Sequence, residues 1–225
     1  MTTKALSGGK SVHELQIHHV RPEAMADYNA LITEEFPRIA NQPEFQVQLF
    51  GSWTVDIGHL DTAVHLWEYP DYPGYTTTQQ VLRDDGTHRA FQRRVAPMLR
   101  SRENQIVLQF AFWQAGPPRI EPHGIYELRS YLLKPGRLLE WETEWRRGLV
   151  ARSRFAQPVG GWFSQLGELN YVHHMWSYRD LQARKENREA AWSVPGWAET
   201  VHQTVPLMVK MEANILRPQP WSPLN

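Results

Sequence analysis

The chain has 225 residues, with 24 basic and 24 acidic side chains, ten tryptophans and no cysteine. Balanced charge argues against a nucleic acid or an anionic membrane as main partner, and the lack of cysteine removes disulfides, thiolate nucleophiles and cysteine-held metals. No apolar run approaches the roughly 18–20 residues that span a bilayer.

The opening residues hold Lys4 and Lys10, no arginine, and no acid before Glu14. With a strand beginning by Val12 they are expected to be too short for an amphipathic presequence. The chain then either needs no import signal or starts after one. Residues 11–20 read as that strand, with Leu15 and Ile17 on one face. Arg21-Pro22-Glu23 opens a helix, where the missing N–H of proline costs nothing, and Met25, Tyr28, Leu31, Ile32 and Phe36 form its buried stripe. Strands at 47–57 and 62–69 form a hairpin. A turn-rich 71–74 follows, then a helix over 77–99 interrupted near Pro97, and a strand at 104–113. Three prolines within 116–122 mark a linker.

The same order then returns. A strand at 125–133 leads through Lys134-Pro135-Gly136 to a helix with Leu138, Trp141, Trp145 and Leu149 on its buried stripe. Strands at 162–166 and 171–178 follow, then helix 181–192, a break at Pro195-Gly196-Trp197, a helical segment with Pro206, and a strand at 212–216 before a proline-rich tail. Gly51-Ser52-Trp53 matches Gly160-Gly161-Trp162, and His65-Leu66-Trp67 matches His174-Met175-Trp176, at a constant offset of 109 (176 − 67). The chain is a duplicated β-α-β-β-α-β module, ferredoxin-like in order, with modules expected at 11–115 and 123–218 around the 116–122 linker. Such a sheet carries helices on one face, so the other is polar or covered by a second sheet. In each strand a simpler apolar set (Leu15, Val64, Leu66, Leu128, His173, Met175) alternates with a mixed set. That mixed set includes His18, His65, Trp67 and Tyr69 in the first module, and Glu127, Arg129, Tyr131, His174, Trp176 and Tyr178 in the second. Placing the apolar set toward the helices puts the mixed set on the open face, and large aromatics there are costly to leave in water. The expectation is an α+β fold in which the two sheets face each other as a dimeric α/β-barrel-type architecture within one chain.

Several strings carry a resemblance: Tyr126-Glu127-Leu128-Arg129, Leu133-Lys134-Pro135-Gly136, Val159-Gly160-Gly161-Trp162-Phe163-Ser164-Gln165, Val172-His173-His174-Met175-Trp176, and Thr204-Val205-Pro206-Leu207. They resemble the NIPSNAP family, with the first module similar to its divergent N-terminal repeat. The resemblance implies the same barrel fold. It also implies a mitochondrial matrix or mitochondrial-surface location (cytoplasmic for a bacterial relative), protein partners from autophagy and vesicular trafficking machinery, and no settled catalytic residues.

His65 and His174 are symmetry-related and flanked by aromatics, as general acid/base groups or ligand contacts would be, since imidazole titrates near neutral pH. The bland alternative is a buried histidine satisfied by a tyrosine or carboxylate. Glu127, Arg129 and Tyr131 with His174 form the best polar cluster, able to orient a small carboxylate or carbonyl, or simply to pair with one another. Trp67, Tyr69, Trp176, Tyr178 and His18 complete a candidate lining for a small aromatic ligand. Arg184, Lys185 and Arg188 read as a solvated helix face, and His173 as structural, toward the helices. Metal-ligand spacing, a phosphate loop and a nucleophile elbow are missing from the string, so no cofactor or metal is expected. Two readings follow: a non-catalytic scaffold that presents helix faces to protein partners, or a cofactor-independent enzyme or binder using the aromatic space between the sheets. Homo-oligomerisation through exposed edges is a third expectation.

Overall fold

The computed structural model describes residues 6–113 and 123–225; the linker expected at 116–122 lies outside them. Among the described residues the first half runs β1 (Val12–Val20), α1 (Met25–Asn41), β2 (Gln48–Ile57), β3 (Thr62–Tyr69), α2 (Tyr72–Asp84), α3 (Gly86–Val95) and β4 (Leu99–Gln109). The second half repeats this as β5 (Ile125–Leu133), α4 (Leu138–Arg152), β6 (Gln157–Leu166), β7 (Tyr171–Tyr178), α5 (Leu181–Ala191), α6 (Trp197–Thr204) and β8 (Met208–Pro218).

Each half forms a four-stranded antiparallel sheet, ordered β4-β1-β3-β2 and β8-β5-β7-β6. The edges then join, β2 to β8 and β4 to β6, to close one eight-stranded barrel. Both seams are antiparallel, with Thr54 opposite Arg217 and Leu108 opposite Phe163. The seams are short. β4 pairs with β6 only from Ile106 onward, so its first residues, rich in charge, lie on a half-free edge. That explains why a strand expected at 104–113 begins instead at Leu99 and ends at Gln109: exposed, charged edge residues lack the alternation by which a strand is read. The helix expected over 77–99 is likewise two helices, because the Asp85 carboxylate caps α3 by accepting from the Thr87 and His88 amides.

The face assignment is overturned. Leu15, Val64, Leu66, Leu128, Met175 and Leu216 point into the barrel, with Trp53 and Trp162. An eight-stranded barrel is only wide enough for side chains to fill. Gly51 and Gly160 make room there, since a Cβ at either would run into the indole two residues on. His173, expected toward the helices, is also inside, bonded to Ser130 Oγ and Gln105 Oε1 at 2.8 Å each. The mixed set faces outward, beneath the helices. Trp67 packs edge-on against Phe36 of α1, and Arg152 of α4 lies over the Trp176 ring. The physical reason is hydrogen bonding. Imidazole, phenol and carboxylate tips need partners when buried; helix side chains supply several of them, Tyr28 for His65, Arg152 for Tyr178 and Arg184 for Glu127, whereas the barrel interior is filled mainly by aliphatic and indole groups.

Candidate functional site

The candidate residues therefore divide into two clusters, one per half, each between a sheet and its own helices. They do not meet in a common space between the sheets.

In the first half a continuous hydrogen-bond chain runs through buried groups. Ser52 Oγ meets His65 Nδ1 at 2.8 Å, His65 Nε2 meets the Tyr28 hydroxyl at 2.8 Å, and the same hydroxyl meets His18 Nδ1 at 2.8 Å. β2 supplies Ser52, β3 His65, α1 Tyr28 and β1 His18. His65 is fully buried, and burial holds its pKa well below the ordinary imidazole value. His18 is held at about 4, by burial first and then by Arg102 and His19. Both imidazoles are neutral at pH 7, so the chain has two tautomeric arrangements. If the Tyr28 hydroxyl donates to His65, His18 donates from Nδ1 and keeps a lone pair on Nε2. If Tyr28 donates to His18, the His18 proton sits on Nε2 instead. His18 thus ends the chain as either a base or an acid.

His18 also lines a cleft of about 780 Å³, walled by Phe36, Trp67, Tyr69 and Phe91 and rimmed by arginines including Arg83 and Arg102. Tyr69 donates to Glu14 at 2.8 Å, beside Asn104. The predicted lining residues Trp67, Tyr69 and His18 are all in this wall. Tyr28, read only as part of a helix stripe, and Ser52, read only as part of the Gly-Ser-Trp repeat, are the members that sequence reasoning missed. Only their place across the fold marks them.

In the second half the cluster is ionic. Glu127 is fully buried and accepts from Arg184 Nη2 at 2.6 Å and Arg129 Nη1 at 2.7 Å, with the Tyr178 hydroxyl at 3.4 Å. Burial pushes its pKa up, but the Arg184 bond and the charges of Arg129 and Arg184 outweigh that and hold it at about 2. A carboxylate so committed is not a general base at neutral pH. Arg129 also donates to the Tyr131 hydroxyl at 2.5 Å. Arg184 is therefore no solvated residue. Arg184, Arg188 and Ala191 share the inward face of α5, a helical spacing that was present in the string. Lys185 does stay outside, paired with Glu189 at 3.2 Å. His174 is buried and its Nδ1 accepts from Trp176 Nε1 at 2.7 Å. Among the described residues no three histidine, aspartate or glutamate side chains come together as metal ligands would, and no helix is long and apolar enough to cross a membrane.

Solved structures show the same fold at low identity: an anthrone oxidase-like protein superposes with a TM-score of 0.63 at 10% identity, over 93% of this chain and 92% of that one. Sequence relatives are closer. The human protein NipSnap homolog 2 is 43% identical over 216 residues, 96% of this chain and 75% of that protein. The Drosophila melanogaster protein NipSnap is 37% identical over 231 residues, covering 98% and 81%. The NIPSNAP family model matches residues 13–114 and again 126–223, once on each half of the barrel. By both the doubled match and these identities, the chain belongs to the NIPSNAP family.

Proposed function

We propose that the chain binds a small amphipathic organic acid in the first-half cleft and that His18 serves there as an acid–base group, its tautomer set by Tyr28, His65 and Ser52. The observation that carries this reading is the buried chain ending on the cleft wall. The sister half does not keep it: the positions equivalent to His18, Tyr28 and Ser52 are Tyr131, Trp141 and Gly161, at offsets of 113, 113 and 109 (131 − 18, 141 − 28, 161 − 52). The polar chain is therefore particular to one half and is not required by the shared fold. The cleft volume suits a drug-sized ligand, its aromatic wall an apolar body, and its arginine rim an anionic end. Anilinonaphthalene sulfonate is a suitable probe. The folded chain should bind it at one saturable site with a Kd of about 1–100 μM. Arg102→Glu should weaken that about tenfold with the melting temperature unchanged. Absence of saturable binding by folded protein would end the proposal. For the histidine, imidazole ¹⁵N shifts of His18 should change on Tyr28→Phe; unchanged shifts would remove the acid–base role.

A second reading, the adaptor role that the family resemblance implies, with mitochondrial placement and autophagy or trafficking partners, draws on α4. Leu139 is 66% exposed and Val150 62% exposed. They lie eleven residues apart (150 − 139), three helical turns, and so share one face. Under this reading Leu139→Glu with Val150→Glu abolishes partner co-purification while His18→Leu leaves it intact; the reverse pattern contradicts it.

A further inference from the structure

The second half holds its own cavity of about 120 Å³, between β5, β7 and β8 and the helices α4, α5 and α6. Its walls are aromatic, with Trp145, Trp176 and Trp197 around the His174 and Tyr131 rings, and three arginines reach it: Arg129, Arg152 and Arg188. Arg152 lies over the rings of Trp176 and Trp197, 5.1 and 5.6 Å from their centres, and donates to the Tyr178 hydroxyl at 2.9 Å. Glu127 is paired with Arg129 and Arg184, and Arg188 lies within electrostatic reach of the same group of charges. Arg188 makes no hydrogen bond or ion pair among the described residues, although it is half-buried. Burial and its neighbour Arg129 oppose its charge, and the favourable pull of Glu127 does not offset them.

A second feature points the same way. Because His174 Nδ1 accepts from the Trp176 indole, the proton of this neutral imidazole sits on Nε2. That N–H is buried, on a ring that is 1% exposed and lines the cavity, and it has no acceptor among the described residues. Buried donors are normally paired. Surplus cations and an unpaired donor share one missing partner, an anion with acceptor oxygens.

The duplication shows that this charge is not a requirement of the fold. The first-half positions equivalent to Arg129, Arg152 and Arg188 are Gln16, Ile39 and Gln79 (129 − 113, 152 − 113, 188 − 109), all neutral. Buried charge is expensive, and here it stands in one copy alone.

We infer that this second-half cavity is a binding site for a small aromatic carboxylate, its carboxylate held by Arg188, Arg152 and the His174 Nε2–H and its ring set among the tryptophans. The site is separate from the first-half cleft and stands whether or not that cleft binds a ligand.

Benzoate is the probe, followed by calorimetry and by the fluorescence of the lining tryptophans. Expected is saturable one-to-one binding with a Kd below about 1 mM, at least tenfold weaker for the neutral isostere benzamide and for inorganic phosphate. Arg188→Gln should lose at least tenfold, and Arg188→Lys should keep most of the affinity. Both change a side chain without a partner among the described residues, so the melting temperature should hold. Arg102→Glu, in the other half, should leave benzoate binding unaltered. Benzamide or phosphate binding as well as benzoate, a Kd above about 1 mM, or full affinity in folded Arg188→Gln would each overturn the assignment.

Discussion

Five buried histidines are expected to make the protein sensitive to acid. His13, His18 and His173 are each held at about 4, burial being the leading cause in all three. For His13, Glu68 at 3.9 Å pulls the other way, yet desolvation wins, so the contact is not a charged pair at neutral pH. His65 and His174 are also held well below the ordinary imidazole value, again by burial first. An unfolded chain protonates its imidazoles near 6.5. Between that value and about 4 the unfolded state therefore binds more protons than the folded one, so stability is full above pH 6.5 and declines as pH falls. One such histidine accounts for about 3 kcal/mol of that decline, since each pH unit between the folded and unfolded values is worth roughly 1.36 kcal/mol. Urea midpoints taken from about pH 7.5 to about pH 4.5 should fall steadily, and His173→Gln should make the fall shallower; a flat wild-type profile would contradict the burial of these rings as neutral groups. At this scale some of the contacts were legible. The symmetry of His65 and His174 was visible in the string, and Glu127, Arg129 and Tyr131, grouped by their spacing, are joined by hydrogen bonds through Arg129. Tyr28, Ser52, Arg152 and Arg188 were not legible as members of these clusters, because each joins from a different element, and spacing within one element does not show which face meets which.

At the scale of elements, the repeat explains more than periodicity does. Asp71 and Asp180, 109 residues apart (180 − 71), both cap a helix N-terminus, accepting from the Gly74 and Ala183 amides at 2.7 Å each. The Asp180 cap was readable from its position; Asp71 was masked by the turn-rich residues around it. The glycine before each barrel tryptophan has a similar logic. Strand registers shift between Leu49 and Gly51 and between Pro158 and Gly160, so each strand bulges where the indole folds back. Gly160→Ala should cost about 1–3 kcal/mol by overpacking against Trp162, seen as a lower urea midpoint. Recovery of that loss in Gly160→Ala with Trp162→Leu would confirm the contact as the cause, and no recovery would refute it.

For the whole molecule the deciding step is closure. Neither half can satisfy the edges of β2 and β4 alone, and each covers one open face of the other with Leu15, Val64, Leu128 and Met175. A chain of residues 6–113 should self-associate, rebuilding a barrel by pairing its β2 with β4 of a second copy, as light scattering after size exclusion would report. A stable, folded monomer would show that closure is dispensable. The C-terminal segment adds to the closed form: Leu224 sits in the barrel core, and its carbonyl accepts from the Tyr126 hydroxyl at 2.6 Å. The amino-acid sequence by itself determined the duplication and most of the order of strands and helices, because these rest on local spacing and on comparing one half with the other. Which face of each strand looks inward was decided only by tertiary structure. Period-two alternation says that two sets of side chains part company, but the choice between them depends on which partners can reach the polar tips and how much volume a closed barrel leaves to fill.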